Sequence, residues 1–409
     1  MPDHAFWNTQ PVVQELIEAL EDGDMPQDLI SVDPAQHPDT SIPLPEKFVW
    51  TAIDPHDDGH MADLYKLLHA YYVEDTSNMF RFAYSKDLLR WWLTGPGCKP
   101  EYSLGIRIDD PDSEGHGRLI GYISGVVSDY AYSNMDGGEV FSRPMQSIVF
   151  LCLDKKYRSL KLAPLLIQEI TRRSYKNGVF HAIYTSGTSL TAPIQVATYY
   201  HRILNPLKLA RIGFCTKPKA ISDKEFAFFY KLPFLPTALS SCFHVCTEAD
   251  IPALYDLYLE YTRRKYKFRQ IYSKEMFTHV VTHRKDSIHT LVYREKEEEQ
   301  PAAFITYYII DTAVLAKDIR KQYPNMRNGY IYLYSLRDDC NLSIGQLVLA
   351  LMHDMQNNNI DVCTALNVGL NPSFFSTMKF AEGSGKLNYY LFNLKWPKMA
   401  LKDIGVVLI

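Results

Sequence analysis

The sequence has no uninterrupted apolar run of about 18 residues, the length that a membrane-spanning helix requires. We therefore expect no integral membrane span. An excess of positive charge is also missing, because 43 lysines and arginines stand against 47 aspartates and glutamates, for a net charge of −4. Without a general basic field, nucleic acid is not an expected partner.

Cysteines are few, and nothing in their spacing suggests pairing. The seven cysteines are scattered and odd in number, which indicates reduced thiols in a cytoplasmic protein. The N-terminus, "MPDHAFWNTQPV", lacks the cationic start and apolar stretch of a secretory signal. Cys242 and Cys246 flank His244 like a fragment of a metal site, but no second ligand pair lies nearby, so we predict no metal.

Hydrophobic and aromatic residues are abundant instead. They make up 46% and 13% of the 409 residues, with 28 tyrosines and 20 phenylalanines. This content supports a large core, and the length predicts two or three domains or one double domain. Aromatic side chains can also line long apolar cavities, although core packing is the commoner role of any single ring.

The chain divides into three parts by composition and pattern. Residues 22–46 are rich in proline and aspartate and predict a surface strap, which separates a short aromatic piece from the main body. We place boundaries at 1–46, 47–214 and 215–409. The two longer parts run in the same order of helix, strands, helix and strands, which hints at an internal duplication, although no sequence repeat matches.

Periodicity and turn residues locate the elements of this mixed α/β pattern. The predicted helices span 61–73, 163–178, 248–265 and 343–358. Pro164 suits the first turn of the second helix and Gly178 suits its C-terminal cap. The predicted strands span 103–108, 117–130, 146–153, 180–187, 287–295, 301–311, 360–368, 387–394 and 403–409.

The stretch "SIVFLCLDKKYRSLKLAPLLIQEITRR" carries the strongest chemical signal. A buried strand ends at Leu153, and a loop with four cations leads into a helix N-terminus; these cations are Lys155, Lys156, Arg158 and Lys161. Free N–H groups and the helix dipole favour an anion there, and a pyrophosphate is the natural guest. The alternative is a solvated basic loop. If the strand splays from its neighbour, its N–H groups are free to form an oxyanion hole for a thioester.

Several blocks together resemble the eukaryotic glycylpeptide N-myristoyltransferase family. They are "FWNTQPV", "YVEDTSNMFRFAYS", "FLCLDKKYRSLKLAPLLIQEITRR", "YYHRILNPLKL", "LNYYLFN" and "DIGVVLI", and they follow the family's order from Phe6 to Ile409. The resemblance implies an acyltransferase that moves a fourteen-carbon acyl group from myristoyl-CoA to the N-terminal glycine of a protein. It also implies an α/β (α+β) fold, with two Gcn5-related halves related by a pseudo-twofold in one continuous mixed sheet.

The resemblance gives each part of the chain a role. Residues 1–46 would be an acyl-CoA lid and strap, 47–214 the half that binds myristoyl-CoA, and 215–409 the half that forms the peptide groove and carries the catalytic C-terminus. It implies myristoyl-CoA as the acyl-donor substrate and no permanently bound cofactor. The expected partners are peptides with an N-terminal glycine, and the expected state is a cytoplasmic monomer.

The resemblance also implies a set of site residues. The backbone N–H groups of Phe150 and Leu151 would hold the thioester oxygen, and the C-terminal carboxylate of Ile409 would be the base. The acyl-CoA would contact His4, Ala5, Phe6, Trp7, Phe150, Leu151, Cys152, Leu153, Arg158, Ser159, Leu160, Lys161, Leu162 and Ala163. The peptide would contact Val73, Glu74, Asp75, Phe80, Phe82, Tyr84, Thr185, Tyr200, His201 and Thr306.

Two alternatives remain open at this stage. A Gcn5-related acetyltransferase with a short acyl-CoA would share the basic loop, but it would need neither the aromatic N-terminal piece nor the apolar terminus. A catalytically inactive lipid- or peptide-binding module would keep the cavity and lose the base. Likewise, the terminal "DIGVVLI" would serve a purely structural role if it simply completed a sheet.

The sequence departs from the family pattern at two acidic positions. Glu74-Asp75 is followed by Thr76-Ser77, where relatives usually carry more acid, and the family's Gly-Asp-Gly reads Gly383-Ser384-Gly385. The family's aspartate helps to recognise a lysine further along the substrate. We therefore expect a weaker preference for basic residues downstream of the glycine.

Overall fold

One mixed sheet of 15 strands runs through the part of the chain that the computed structural model describes, which is residues 5–15, 19–73, 79–133, 140–296 and 299–408. These strands are β2 Phe48–Ala52, β3 Phe80–Ala83, β4 Cys98–Ile108, β5 Leu119–Ser133, β6 Val140–Leu153, β7 His181–Ser186, β8 Gln195–Ile203, β9 Phe243–Val245, β10 Phe268–Ile271, β11 Ile288–Tyr293, β12 Ala303–Val314, β13 Asn325–Leu336, β14 Val362–Leu366, β15 Ala381–Phe392 and β17 Ile404–Gly405. A separate two-stranded sheet joins β1 Gln27–Asp28 to β16 Leu394–Lys395.

The helices pack on this sheet. They are α1 Asp58–Tyr71, α2 Lys86–Leu93, α3 Leu162–Lys176, α4 Pro206–Arg211, α5 Asp223–Phe229, α6 Thr237–Ser240, α7 Ile251–Lys265, α8 Lys274–Val281, α9 Ile344–Asn357 and α10 Pro372–Phe375. Gly178 follows α3 with a φ of 74°, the left-handed conformation that glycine adopts most readily. None of these helices, within the described ranges, combines the length and apolarity that crossing a bilayer demands.

The two halves exchange strands reciprocally. Strand β3 of the first half pairs with β12 of the second, and β10 of the second half pairs with β5 of the first. In the same way β8 pairs with β14, and β15 pairs with β7. Both halves share the order helix, strand, helix, three antiparallel strands, helix and two further strands, with the short α10 inserted between the last two strands in the second half. This arrangement confirms the predicted fold class of two related halves in one continuous mixed sheet.

A buried carboxylate ties the proline-rich strap to α3. Burial alone would raise the pKa of Glu169, but hydrogen bonds from Arg172, the Ile42 backbone N–H and Arg173 outweigh it and lower the pKa to about 2. The Arg172 guanidinium also donates to the Pro38 carbonyl at 2.7 Å. The strap is therefore held against the helix that follows the basic loop.

The end of the chain differs from the prediction of a strand over 403–409. Only Ile404 and Gly405 pair with a neighbour, in parallel with β10, and 406–408 leave the ladder. The Val406 carbonyl instead accepts a hydrogen bond from the Tyr389 hydroxyl at 3.1 Å. A side chain takes the place of a strand partner there, so the chain turns away from the sheet edge into the core.

Candidate active site

Strands β6 and β7 pair over only three residues, Met145–Ser147 against His181–Ile183. From Ile148 to Leu153, β6 keeps its pairing with β5 alone among the described residues. The side of β6 that faces β7 is therefore released towards the end of the strand. This is the splayed arrangement that an oxyanion hole on this strand would require.

A bulge interrupts β6 within the released stretch. Val149 pairs with Ser124 and Cys152 pairs with Tyr122, so that Phe150 and Leu151 together face a single residue of β5. Phe150 has a φ of 57°, which is rare for a bulky residue and is disfavoured by its own Cβ. A bulge of this kind disrupts the ladder and re-aims the backbone. A strained backbone conformation persists only where the surrounding structure maintains it, and such conformations are concentrated at functional sites.

A cavity of about 430 Å³ opens at this bulge. Leu151, Cys152 and Leu153 form one wall, and Arg158 and Ala163 from the basic turn and α3 form another. The third wall is Tyr71, Tyr72 and Val73 at the end of α1. The predicted acyl-CoA contacts from one contiguous sequence block therefore line the same cavity as Val73, a predicted peptide contact.

Two tyrosines surround Phe150. Their ring centroids lie 5.8 Å away for Tyr72 and 5.2 Å away for Tyr84. Burial raises the pKa of the Tyr72 hydroxyl, and the Phe150 backbone N–H, which faces that oxygen, opposes the rise. Tyr72 was not among the predicted site residues, although it begins the sequence block that contains Val73.

The basic turn is a 3₁₀ helix over Lys155–Leu160, followed by Lys161 with a φ of 56°. Arg158 donates to the Leu153 carbonyl at 3.3 Å and to the Tyr71 carbonyl at 3.4 Å, which keeps the cation at the cavity rim. Ser159, Leu160 and Lys161 are exposed beside it. Leu162 is fully buried in the core.

Cys152 is buried in the cavity wall, and its burial raises the pKa of the thiol to about 12. A thiol with so high a pKa is a poor nucleophile at neutral pH. The high pKa of this thiol agrees with an acyl-transfer reaction in which no cysteine acts as the nucleophile.

The aromatic N-terminal piece packs over β7. The Trp7 ring stacks on Tyr184 with a centroid distance of 5.4 Å, and the Phe6 ring lies 5.2 Å from Trp7. Ala5 is exposed, and His4 lies outside the described residues. Tyr184 precedes Thr185, a predicted peptide contact on the strand that splays from β6.

A second group of predicted residues lies along β3 and β8. The Phe80 ring is 6.1 Å from Phe214, which is 5.4 Å from the His201 ring, and Phe82 meets Tyr84 at 6.1 Å. The Phe82 backbone N–H also donates to the carbonyl of Val73, a cavity-wall residue, at 3.2 Å, so β3 lies between the cavity and Phe214. Glu74 and Asp75, which precede this strand, lie outside the described residues.

His201 is held as a neutral base. Its Nδ1 is 3.0 Å from the Thr364 hydroxyl, and burial lowers the pKa of the imidazole to about 4. Its Nε2 faces Gly383, because a Cβ on that glycine would lie 2.6 Å from this nitrogen. The neighbouring Tyr200 stacks on Phe375 at 4.3 Å and donates to the Glu382 carboxylate at 3.2 Å.

Thr306 stands apart from these two groups. It is fully buried on β12, and its hydroxyl is 2.9 Å from the hydroxyl of Thr290. The structure does not bring it to the wall of the cavity at the bulge. Its role as a peptide contact remains a prediction.

The terminal segment reaches the core beside the site. Val406 and Leu408 are buried, and Val407 packs against the cluster that contains Phe150 and Tyr84. Gly405 lies against the Tyr266 ring. Ile409 itself lies outside the described residues. Tyr266 is therefore a further supporting residue for this segment, which no local pattern in the sequence signals.

The described chain combines two halves in one mixed α/β sheet with a cavity beside a strained bulge. Residues 30–197 match the N-terminal domain of the family described as Myristoyl-CoA:protein N-myristoyltransferase, and residues 211–407 match its C-terminal domain. The chain therefore belongs to the myristoyl-CoA:protein N-myristoyltransferase family, as its sequence blocks predicted.

Relatives from several kingdoms agree. The chain is 33% identical to the glycylpeptide N-tetradecanoyltransferase of Ajellomyces capsulatus, over 98% of this chain and 74% of that protein. It is 32% identical to glycylpeptide N-tetradecanoyltransferase 1 of Arabidopsis thaliana, over 99% of this chain and 89% of that protein. The structure of Saccharomyces cerevisiae N-myristoyltransferase with bound myristoyl-CoA superposes with a TM-score of 0.87 at 28% identity, covering 100% of both chains.

Proposed function

We propose that this enzyme transfers the myristoyl group of myristoyl-CoA to the N-terminal glycine amine of peptides and proteins. The observation that carries the proposal is the bulge at Phe150 and Leu151, of which Leu151 lines the cavity of about 430 Å³. It is supported by the relatives named glycylpeptide N-tetradecanoyltransferase and by the similarity to a yeast enzyme solved with myristoyl-CoA. The short-chain acetyltransferase alternative has no such support.

In the proposed reaction, the neutral glycine amine attacks the thioester carbonyl directly. A C–N bond forms and the C–S bond breaks, so that coenzyme A leaves as a thiolate and takes up a proton. The backbone N–H groups of Phe150 and Leu151 stabilise the negative charge that develops on the carbonyl oxygen, a contribution worth about 10²–10³ in rate for a single donor in other enzymes.

The amine must first lose a proton, and we assign the base to the α-carboxylate of Ile409. An α-amino group has a pKa of about 7.7–8.0 and an α-carboxyl of about 3.3–3.7, so transfer in water would cost about 5.5 kcal/mol. Burial disfavours both charged forms and narrows this gap. The buried Val406 and Leu408 and the packing of Val407 near Phe150 supply such surroundings.

Acyl specificity follows from burial. Each methylene contributes about 0.8 kcal/mol, so a fourteen-carbon chain supplies roughly 10 kcal/mol of binding. Acetyl-CoA, with its short acyl group, would lack most of this binding free energy. The peptide is proposed to enter along β3 and β8, where Phe80, Phe82 and Tyr84 form walls and the neutral His201 offers a hydrogen bond.

The decisive experiment compares the intact chain with the same chain carrying a C-terminal amide in place of the carboxylate. Single-turnover transfer from myristoyl-CoA to a glycine-initiated peptide and myristoyl-CoA binding are measured in parallel. We expect transfer to fall at least a hundredfold, while binding changes by less than threefold. A chain extended beyond Ile409 should behave in the same way.

The matched control carries the extension inside the exposed hairpin turn between Asp112 and Ser113, far from the cavity in sequence and exposed in the structure. It should acylate peptides at the normal rate. Full activity in the amidated chain would overturn the assignment of the base. Equal rates with acetyl-CoA and myristoyl-CoA would overturn the assignment of the acyl donor.

A further inference from the structure

The three most exposed large apolar side chains in the described part of the molecule all lie within seven residues. Phe228, Phe229 and Phe234 are 77%, 56% and 80% exposed, and no other large apolar side chain described here exceeds 48%. They extend from α5 and the turn that follows it. This concentration is unusual, because single exposed hydrophobic residues are common on proteins whereas clusters mark interaction sites.

The backbone beneath these rings is firmly anchored. Phe226 and Leu232 are buried on the inner side. The Arg202 guanidinium donates to the Tyr230 carbonyl at 3.0 Å, and the His353 imidazole lies 3.0 Å from the Pro233 carbonyl. The phenylalanines are therefore held outward by a fixed scaffold, so their exposure is a stable property of the folded chain.

Exposed lysines accompany the rings in the same segment, and one further lysine contacts a ring directly. Lys219, Lys224 and Lys231 are exposed in the same segment, and residues 215–235 hold four lysines against two acids in a chain whose net charge is −4. From another part of the chain, Lys379 lies over the Phe229 ring at 4.6 Å and donates to its carbonyl at 3.1 Å. We call the surface formed by these three phenylalanines and four lysines the Phe-Lys surface.

We propose that the Phe-Lys surface docks the enzyme on an anionic lipid bilayer. Phenylalanine side chains partition into the boundary between headgroups and acyl chains, and flanking lysines pair with anionic headgroups. Long lysine side chains also allow the charge to remain at the headgroups while the rings insert. A peripheral docking of this kind requires no membrane-spanning helix.

The position of the surface relates it to the proposed peptide groove. Arg202, which anchors it, lies two residues after the predicted peptide contact Tyr200 on β8, so both side chains point to the same face of the sheet. Lys379 follows Phe375 by one turn of chain, and Phe375 stacks on Tyr200. Docking would therefore hold the predicted peptide contacts near the bilayer. The acyl chain of the product could then insert into the adjacent lipid. A single myristoyl chain anchors a protein only marginally, so release beside the lipid favours its capture.

Sedimentation of the full chain with vesicles tests this proposal. One set contains phosphatidylcholine alone and the other contains 30% phosphatidylserine. We expect binding to the anionic vesicles that weakens as salt rises. Replacing all three rings, by Phe228→Ser, Phe229→Ser and Phe234→Ser, should reduce the partition coefficient at least tenfold. Lys224→Glu and Lys231→Glu should each reduce it at least about fivefold on anionic vesicles only.

Two controls separate the surface from general effects. Val49→Ser and Val245→Ser remove other exposed apolar side chains, which are 43% and 45% exposed, and should bind vesicles normally. Circular dichroism and peptide acylation without vesicles should match the wild type for every variant, which separates this test from that of the catalytic mechanism. If the triple phenylalanine variant is unfolded, Phe234→Ser alone replaces it, with at least a twofold loss expected.

Three results would overturn the proposal. They are no binding of the wild type to anionic vesicles, equal binding of the phenylalanine variants, or binding that is insensitive to charge and salt. Light scattering that shows a dimer lost in the triple variant, without vesicle binding by the wild type, would assign the surface to a second copy of the chain.

Discussion

The Tyr266 ring lies flat against the α-carbon of Gly405, so that a Cβ added to this glycine would overlap the ring. The same ring also contacts Gly369, where an added Cβ would lie 2.8 Å from Tyr266 Cε1. Two glycines thus let one aromatic ring guide the terminal segment into the core. The packing explains why the residue before Val406 has no side chain.

Replacing Gly405 by alanine should destabilise the protein and reduce catalysis. Overpacking of this kind costs about 1–3 kcal/mol of unfolding free energy. Because the segment leads to the proposed base, kcat should fall more than myristoyl-CoA affinity. Thermal unfolding and steady-state kinetics measure both effects. Gly345→Ala is the matched control, since its nearest neighbour is the flexible end of Met378 at 3.3 Å. Unchanged kcat in the Gly405 variant would contradict this reading.

The conformation of Phe150 should matter separately from its hydrophobicity. Phe150→Ile and Phe150→Leu remove the same ring, but a β-branched residue tolerates a φ of 57° less well than leucine does. We expect the isoleucine variant to lose about tenfold more in kcat than the leucine variant, at similar stability. Rapid-quench measurement of acyl transfer distinguishes the two. Equal rates would show that the bulge geometry is not needed.

Arg158 should act on acyl-CoA binding. Its cation lies at the cavity rim, and a charged hydrogen bond is worth about 1.5–3 kcal/mol. Arg158→Ala should therefore weaken myristoyl-CoA binding by about 10–100-fold, with a smaller change in kcat, as measured by calorimetry and kinetics. Lys66→Ala removes an exposed cation from α1 and should leave binding unchanged. A normal dissociation constant in the arginine variant would exclude a role in phosphate recognition.

Stability should fall as the pH drops below neutrality, in part through His201. Burial lowers its pKa to about 4 in the folded chain, against about 6.5 in the unfolded chain, so the unfolded chain binds the proton more readily between these values. The free energy of unfolding therefore decreases below pH 6.5, by up to about 1.4 kcal/mol per pH unit until pH 4. The free energy of unfolding, measured with urea at several pH values, should depend less steeply on pH for His201→Gln than for the wild type.

Ser384 should set how strongly the enzyme favours lysine downstream of the glycine. Gly383 lies at His201, so the adjacent Ser384 is placed near the proposed groove. We expect the wild type to acylate peptides with lysine or alanine at the sixth and seventh positions at rates within about threefold. Ser384→Asp should increase the lysine preference through charge attraction. A strong lysine preference in the wild type would contradict the expectation drawn from the sequence.

Local patterns predicted the elements that carry the proposed acyl-CoA site. The strand that ends at Leu153 and the helix that begins one residue before Ala163 follow from side-chain periodicity, Pro164 and Gly178, all of which act over a few residues. The basic turn between them could also be predicted, because its lysines and arginine are neighbours in the sequence. Thr306 shows the limit, since nothing nearby indicates that its hydroxyl would meet that of Thr290.

From the sequence one could predict many of the helices and strands, the basic turn before α3 and the resemblance to a family of acyltransferases, because these depend on neighbouring residues and on blocks of sequence. The exchange of β3 and β10 between the halves, the left-handed Phe150 and the ring that guides Gly405 emerged only in the folded chain. Each of these depends on partners distant in the chain, and the packing energy that fixes them is present only after the halves have come together.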